Sequence, residues 1–417
     1  MLTRLIQEGF ILGIVQFIHC EVRSLQRAIT IKPRGRSVLI VGQNGAGKTS
    51  LLNAIFESLN NYVRYGHKNE QTHKNQLRQH LENIKNYPQN ELSSLEYIRK
   101  IRKSYVDGRK AGFFKVSDVE KLSESMSGNR AVLKLFKAHR QADIQQVHSA
   151  RAAVKDNPRT DSNQTLSADL EQHLVNLRVR SALAQLAGNE HIKTKEIEAW
   201  FDKFERDVQY LFEDESVRLI FDADHMRYFI SQHGRLNYSF QELSSGYSAI
   251  FDIFGDLVVR SEYLGITPEE LQGVVFIDEI DAHLHVSLQR KILPFLIQSF
   301  PNIQFIVTTH SPFVLSSVDD VLIYDVSSGK SALDLSMYSV DAILEGLLGV
   351  PPISKKLEDK IKYLSRYTGS NNFDLVKAVE LIDEVIPFVD SLDEESRMYF
   401  EISKNKVLRA EKGGRGV

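Results

Sequence analysis

Cysteine is almost missing from this 417-residue chain. Cys20 stands alone, so no disulfide can close within it, and such usage suits a reducing cytosol. Long hydrophobic runs are missing as well. The apolar stretch from Phe10 to Ile18 is broken by Gln16 and falls far short of the roughly 20 residues that cross a bilayer. It lacks the form of a secretory leader, because Gln7-Glu8 interrupts it and no small-residue cleavage site follows. It is expected to be a first strand, and no membrane partner is expected. Neither sign of charge dominates, with 52 Lys and Arg against 54 Asp and Glu. The balance hides an asymmetry, since residues 61–140 carry about twice as many basic as acidic residues. What is present, 42% hydrophobic and 25% charged residues, is the composition of a globular chain with room for one sizeable domain and an insertion.

The chemistry begins at Gly42-Gln43-Asn44-Gly45-Ala46-Gly47-Lys48-Thr49, directly after the apolar run Val38 to Val41. A buried strand, a glycine turn and a helix opening at Lys48-Thr49-Ser50 make a phosphate cradle. The glycines let successive N–H groups point inward, and the helix N-terminus favours an anion. Gly42, Asn44, Gly45, Gly47, Lys48, Thr49 and Ser50 are the expected nucleotide-binding set. Lys48 reaches the β- and γ-phosphates and the Thr49 hydroxyl ligates Mg²⁺. Far downstream, Val274-Val275-Phe276-Ile277 reads as a second buried strand, expected beside the first, that delivers Asp278 and Glu279 at its carboxyl end. There an open α/β sheet holds ligands. Asp278 suits Mg²⁺, largely through water. Glu279 suits a general base for an attacking water. A third apolar strand, Ile303 to Val307, ends in Thr308-Thr309-His310, where His310 can contact a γ-phosphate or merely satisfy a neighbouring backbone group.

Leu243-Ser244-Ser245-Gly246-Tyr247 is weak alone, because Ser-Ser-Gly occurs in many turns. The apolar-faced helix pattern after it makes Ser245 an expected N-cap and Gly246 a point of close approach for a phosphate. The intervening fold separates this site from the chain's own phosphate loop, which implies two heads packed head to tail.

Together these motifs resemble the RecF/SMC and OLD-like branch of ABC-type ATPases. Ile277 through His285 resembles the extension after the acidic strand in OLD-family ATPases, and Phe305 through Leu315 is similar to their switch strand. The chain is compatible with the ATPase subunits of bacterial antiphage systems of the PARIS and Septu kind, which the segments Trp200–Glu205 and Val217–Asp222 also resemble. The resemblance implies an α/β, two-lobed ABC-type P-loop head with a helical insertion and a helical C-terminal region. It also implies ATP and Mg²⁺ as cofactors, and a nucleotide-sensing role for Gln141 after the strand at 131–137. His283 and His285 belong either to a loop crossing the dimer interface or to a metal site, for which a suitably spaced third ligand is missing.

Domain organisation follows the motifs: a first lobe at 1–60, a mainly helical insertion at 61–212, a second lobe at 213–330 and a helical region at 331–417. Strands are expected near 12–19, 27–32 and 38–42, then at 217–222 and 226–231. Turn signals at Asp156-Asn157-Pro158 and Asp161-Ser162-Asn163 place a loop at 143–165. Leu174, Leu177, Val179, Leu183 and Leu186 suggest a packed helical hairpin, too short for a long coiled coil. Pro351-Pro352 marks a break and Lys412–Gly416 a tail. Many OLD-family proteins append a Toprim nuclease, but no strand-borne Glu with an Asp-x-Asp pair follows Asp325. The one such pair, Asp222-Ala223-Asp224, falls in a hairpin turn, and no His-Asn-His or Cys-x-x-Cys pattern occurs.

Three readings compete. The first is the ATPase of a defence complex that governs a separate nuclease. The second is a RecF-like repair ATPase that closes on DNA, for which Arg99-Lys100-Ile101-Arg102-Lys103 and Arg109-Lys110 would supply charge. That stretch reads equally as a solvated helical face. The third is a scaffold that binds ATP but hardly hydrolyses it, against which Glu279 and His310 both argue.

Overall fold

A computed structural model describes residues 14–116, 122–124, 131–151, 165–186, 191–333, 335–336, 338–348, 354–370, 373–392 and 394–413. The turn signals at 156–158 and 161–163, the Pro351-Pro352 break and the last residues of the tail lie outside them. The chain divides into two compact units, 1–337 and 338–417.

The strands are β1 (Val15–Val22), β2 (Arg27–Ile31), β3 (Ser37–Val41), β4 (Gly112–Val116), β5 (Ala131–Phe136), β6 (Arg218–Asp222), β7 (Arg227–Ser231), β8 (Tyr238–Ser239), β9 (Gln272–Ile277), β10 (Ile303–Thr308), β11 (Val321–Asp325) and β12 (Ser331–Leu333). Six of them form the central sheet in the order β12-β11-β3-β10-β9-β5. All its pairings are parallel except β11 with β12. The parallel strands read as near-continuous Val, Ile, Leu and Phe because both faces of such a sheet are covered. The acidic strand β9 does not adjoin β3, as the sequence suggested. β10, which follows β9 in the chain, lies between them in the sheet.

Helix α1 (Lys48–Asn61) buries Leu51, Leu52, Ile55 and Leu59. It shares one core with the central sheet and with a three-stranded antiparallel sheet ordered β2-β1-β4. Strand β4 is an addition to the mainly helical insertion expected at 61–212. Its Phe113-Phe114 pair lies against β1, with Phe114 buried, and that tertiary burial outweighs the polar, helix-prone context. Between α1 and β4 come α2 (His67–Asn86) and α3 (Glu91–Ala111). Arg99, Lys100, Arg102 and Lys103 are exposed on α3, while the side chains of Arg109 and Lys110 lie outside the described residues.

Helices α4 (Leu170–Leu186) and α5 (His191–Phe212) form the expected hairpin. The buried face differs from the expected one. Leu170, Leu174, Val175 and Leu177 are buried, whereas Leu183 and Leu186 are exposed. Packing is confined to the first turns of α4, where α6 (Ser245–Leu264) lies beside it. Helix α6 is covered almost all round, from Gly246 to Ser261, and Phe254 meets Phe204 of α5, Phe300 and Phe295 of α7 (Val286–Ser299). Inside this packing Asp256 is fully buried. It is paired with Arg260 at 2.6 Å and Lys134 at 3.5 Å and accepts the Leu166 N–H at 2.7 Å. A buried carboxylate persists only with such partners. Glycine is required at position 273, where a Cβ would lie 2.0 Å from the Val132 carbonyl oxygen of the adjacent strand.

The second unit holds α8 (Lys355–Gly369), α9 (Leu375–Val385) and α10 (Glu394–Gly413). They close on Ile361, Leu364, Ala378, Ile382, Val385, Phe400 and Val407.

His173 of α4 is buried and meets the chain's one tryptophan, Trp200 of α5, edge to face at 5.3 Å. Burial pulls its pKa down from 6.5 to about 4. The unfolded imidazole therefore takes up a proton near pH 6.5 and the folded one only near 4. Its stability contribution is whole above about 6.5 and is lost as pH falls towards 4, by about 3 kcal/mol. Urea unfolding followed by Trp200 fluorescence should show wild type losing that much more than His173→Gln between pH 7 and 4. Parallel curves would count against this ionisation.

Candidate functional site

Strands β3, β10 and β9 end at one level, because Ile40 pairs with Thr308 and Ile277 with Val307. Their three exit loops therefore converge. Gly42, Gly45 and Gly47 have φ of 144°, 76° and 91°, values that favour glycine and let the loop fold over itself. A Cβ at Gly47 would strike Leu25 at 2.6 Å and one at Gly42 would strike the Ser327 Oγ at 2.8 Å. The loop is buttressed from β11: Ser327 Oγ accepts the Gln43 N–H at 3.0 Å, and Asp325 accepts the Ser327 N–H at 2.8 Å.

The Lys48 ammonium is buried and donates to the Gly42 and Gln43 carbonyls, each at 3.0 Å. These carbonyl oxygens stand where an anion's oxygens would compete for the same donor. Burial draws the Lys48 pKa down, and the carboxylates of Glu279, Asp278, Asp281 and Asp325 draw it back up. Thr49 Oγ1 donates to Asp278 Oδ1 at 3.1 Å. A hydroxyl and a carboxylate converging from two elements form a hard-oxygen pair that fits Mg²⁺. Asn44 and Gly45 are exposed at the loop tip, and Ser50 is half-buried in the first turn of α1.

Thr308 organises the acidic turn. Its hydroxyl donates to Asp278 Oδ1 at 2.6 Å and accepts the Glu279 N–H at 2.7 Å. Glu279 has a φ of 47°, a left-handed conformation that costs a non-glycine residue about 1–2 kcal/mol. Asp281 latches the end of β10, accepting from Thr309 Oγ1 at 2.6 Å and from the His310 N–H at 3.3 Å. The His310 imidazole is half-buried; burial and the Lys48 charge both lower its pKa, so it is neutral at neutral pH.

Lys48, Thr49, Asp278, Glu279 and His310 are thus brought together within one chain. Ser245 and Gly246 lie in the first turn of α6. Helix α6 starts at Ser245 with Ser244, not Ser245, as the N-cap residue, and the Ser244 side chain makes no capping hydrogen bond. Its carbonyl accepts the Ser248 N–H at 2.8 Å, and the Ser245 side chain is left exposed. Gly246 is buried, and a Cβ there would lie 3.1 Å from the His283 carbonyl, so the close approach is to protein backbone. Gln141 is exposed and lines a cleft of about 780 Å³ with Phe136, Lys137, His139 and Asp252. His283 and His285 are exposed, and His285 caps α7 by accepting the Ser287 N–H. Among the described residues no group of three or more His, Cys, Asp or Glu could hold a metal. No described helix is long and apolar enough to cross a membrane.

Sequence reasoning missed Thr308, Asp281, Ser327 and Arg140. Thr308 and Asp281 stood inside recognised motifs, and their polarity at the end of an apolar strand was the available signal. Ser327 and Arg140, whose guanidinium donates to the carbonyls of Asp278, Glu279 and Ile280, make their contacts across the fold and left no local trace.

The family described as "AAA domain, putative AbiEii toxin, Type IV TA system" matches residues 37–316, two-thirds of the chain, from β3 through His310. The chain belongs to it. It is 39% identical over 104 residues to the Retron Ec83 probable ATPase of Escherichia coli, which covers 24% of this chain and 19% of that one. It is 35% identical over 123 residues to the Septu protein PtuA of Bacillus mycoides (strain KBAB4), covering 29% and 16%. The aligned segments therefore span less than a fifth of either relative. Among solved structures, the SMC head domain from Thermotoga maritima is 13% identical, covering 77% of this chain and 98% of that one, with a TM-score of 0.35. A nucleotide-free ATP-binding cassette from an ABC transporter is 12% identical, covering 81% and 96%, with a TM-score of 0.35.

Thr308→Val keeps the shape of the side chain and removes its hydroxyl. It leaves the Glu279 N–H without its acceptor and should destabilise the fold by about 2 kcal/mol, whereas Thr308→Ser should recover most of that. Urea denaturation of the three proteins checks it. Equal stability of Thr308→Val and wild type would show that the hydroxyl does not hold this turn.

Proposed function

We propose that this member of the AAA-domain family is an ATPase of the ABC type, converting ATP and water to ADP and phosphate. The observation that carries the reading is the convergence of the Lys48 ammonium, the Thr49–Asp278 oxygen pair and Glu279, whose charge acts on Lys48, at the shared end of β3, β10 and β9. Gly42, Asn44, Gly45, Gly47 and Ser50 line the phosphate loop, and Lys48 exchanges its two carbonyl partners for phosphate oxygens. Thr49 and Asp278 would hold Mg²⁺, which would supply charge neutralisation on the transferred phosphoryl group. Glu279 accepts the proton of the attacking water, and neutral His310 contacts the γ-phosphate.

The reading extends to a dimer of heads. Ser245 is exposed at the start of a buried 20-residue helix, free to meet a phosphate held by a second copy. The relatives' names motivate the next step: this ATPase governs a separate effector in antiphage defence, most simply a nuclease, with the helical unit beyond residue 337 as the docking element. Head closure would bias the partner by its differential affinity for the two arrangements. The RecF-like alternative rests on the exposed Arg99, Lys100, Arg102 and Lys103 of α3. It predicts duplex binding that falls steeply with salt.

Purified wild type should hydrolyse ATP. Lys48→Ala should lose nucleotide binding, and Glu279→Gln should bind ATP but turn over at least about a hundredfold more slowly. Ser245→Arg should be inactive alone and regain activity when mixed with Lys48→Ala, because one mixed interface pairs an intact Lys48 with an intact Ser245. Unchanged turnover in Glu279→Gln would remove the assignment of the base. Absence of rescue, with subunit exchange demonstrated, would remove the head-to-tail pair.

A further inference from the structure

Arg140 follows β5 and is 7% exposed. Its guanidinium reaches across 138–140 residues of sequence to the backbone of the acidic turn. One terminal nitrogen donates to the carbonyls of Asp278 at 2.7 Å and Lys137 at 3.1 Å; the other donates to those of Glu279 at 2.9 Å and Ile280 at 3.0 Å. All four terminal N–H groups are thereby committed to carbonyls, and the buried Nε has no partner. Three successive carbonyls pointing at one cation is an arrangement that an extended strand cannot present. It requires the chain to turn at Glu279, where φ is 47°. The Ala282 N–H bonded to the Glu279 carbonyl at 2.9 Å and the Thr308 hydroxyl on the Glu279 N–H complete the clamp.

We propose that Arg140 is a positioning residue for Glu279, holding the 278–280 backbone in the left-handed turn that sets where the Glu279 carboxylate stands. The proposal rests on the reading of Glu279 as the hydrolytic base. Charge-assisted hydrogen bonds to three carbonyls outweigh the conformational cost at Glu279. Lysine cannot substitute, since its single ammonium cannot span carbonyls that a planar guanidinium bridges from two nitrogens. A base displaced by about 1 Å costs turnover far more than it costs binding of ATP, whose phosphate contacts lie on the Lys48 loop.

The test compares wild type, Arg140→Lys and Arg140→Ala in the full chain. Steady-state ATP hydrolysis is measured alongside hydrogen exchange of the 276–284 backbone and of α1. The expected result for Arg140→Lys is a kcat lower by roughly tenfold to a hundredfold with KM for ATP within about twofold. Exchange should accelerate at 278–282 and not in α1, and added methylguanidinium should restore part of the activity of Arg140→Ala. Wild-type kcat in a folded Arg140→Lys protein overturns the proposal, as does a loss carried wholly by KM. If Arg140→Ala does not fold, the lysine variant decides alone. If wild type hydrolyses no ATP, the functional reading fails. The exchange experiment still judges the clamp, and unchanged exchange at 278–282 in the variants overturns it.

Discussion

The parallel register of β3, β10 and β9 is the constraint on which the site depends. Ile40 opposite Thr308 and Val307 opposite Ile277 bring a glycine loop, His310 and an acidic pair to the same level at one end of the sheet. A slip by one residue in any of the three would turn every side chain of that strand to the opposite face. It would carry the Thr308 hydroxyl away from both Asp278 and Glu279. The covered faces of the sheet forbid that slip, because Val38, Ile40, Phe276 and Ile306 are locked in one core with α1. The hydrophobic effect thus sets the alignment, and a few short hydrogen bonds refine it to the precision that phosphate chemistry demands.

Beyond this end of the sheet, residues 140–144 join parts of the molecule that are distant in sequence. Arg140 holds the acidic turn. Two residues on, the Ala142 carbonyl accepts the Ser248 hydroxyl at 3.2 Å and its N–H reaches the Ser248 carbonyl at 3.3 Å. The Ile144 carbonyl accepts from Gln241 at 3.2 Å. The segment that delivers Gln141 therefore touches both the Asp278–Ile280 backbone and the first turn of α6, where Ser245 stands exposed. The buried Lys134–Asp256–Arg260 cluster ties the same helix to β5 deeper in the fold.

Much of this was legible in the sequence, and the reason is chemical. Phosphate binding needs glycine at positive φ, a lysine and a hydroxyl at fixed spacing, so Gly42 through Thr49 announced itself. Apolar runs ending in Asp-Glu and in His marked β9 and β10. What was hidden depended on distance. Nothing local says that β10 lies between β3 and β9, because strand order follows from crossovers. Nor does anything local single out Arg140, which bonds three carbonyls of the acidic turn. Strand β4 was obscured by its polar surroundings, since only pairing with β1 reveals what Phe113-Phe114 are for. Leu183 and Leu186 misled in the opposite sense: helical spacing is necessary for a buried face but does not supply a neighbour to cover it.

The central claim, that two copies of this chain assemble an ATP site at the shared end of β3, β10 and β9, is tested most directly by a crystal structure of the Glu279→Gln protein with ATP and Mg²⁺. The account predicts the metal between Thr49 Oγ1 and the Asp278 side, the triphosphate on the Lys48 loop and Ser245 of a second copy at the γ-phosphate. Nucleotide bound with no metal at Thr49 and Asp278, or a closed single-chain site with Ser245 left in solvent, would contradict it.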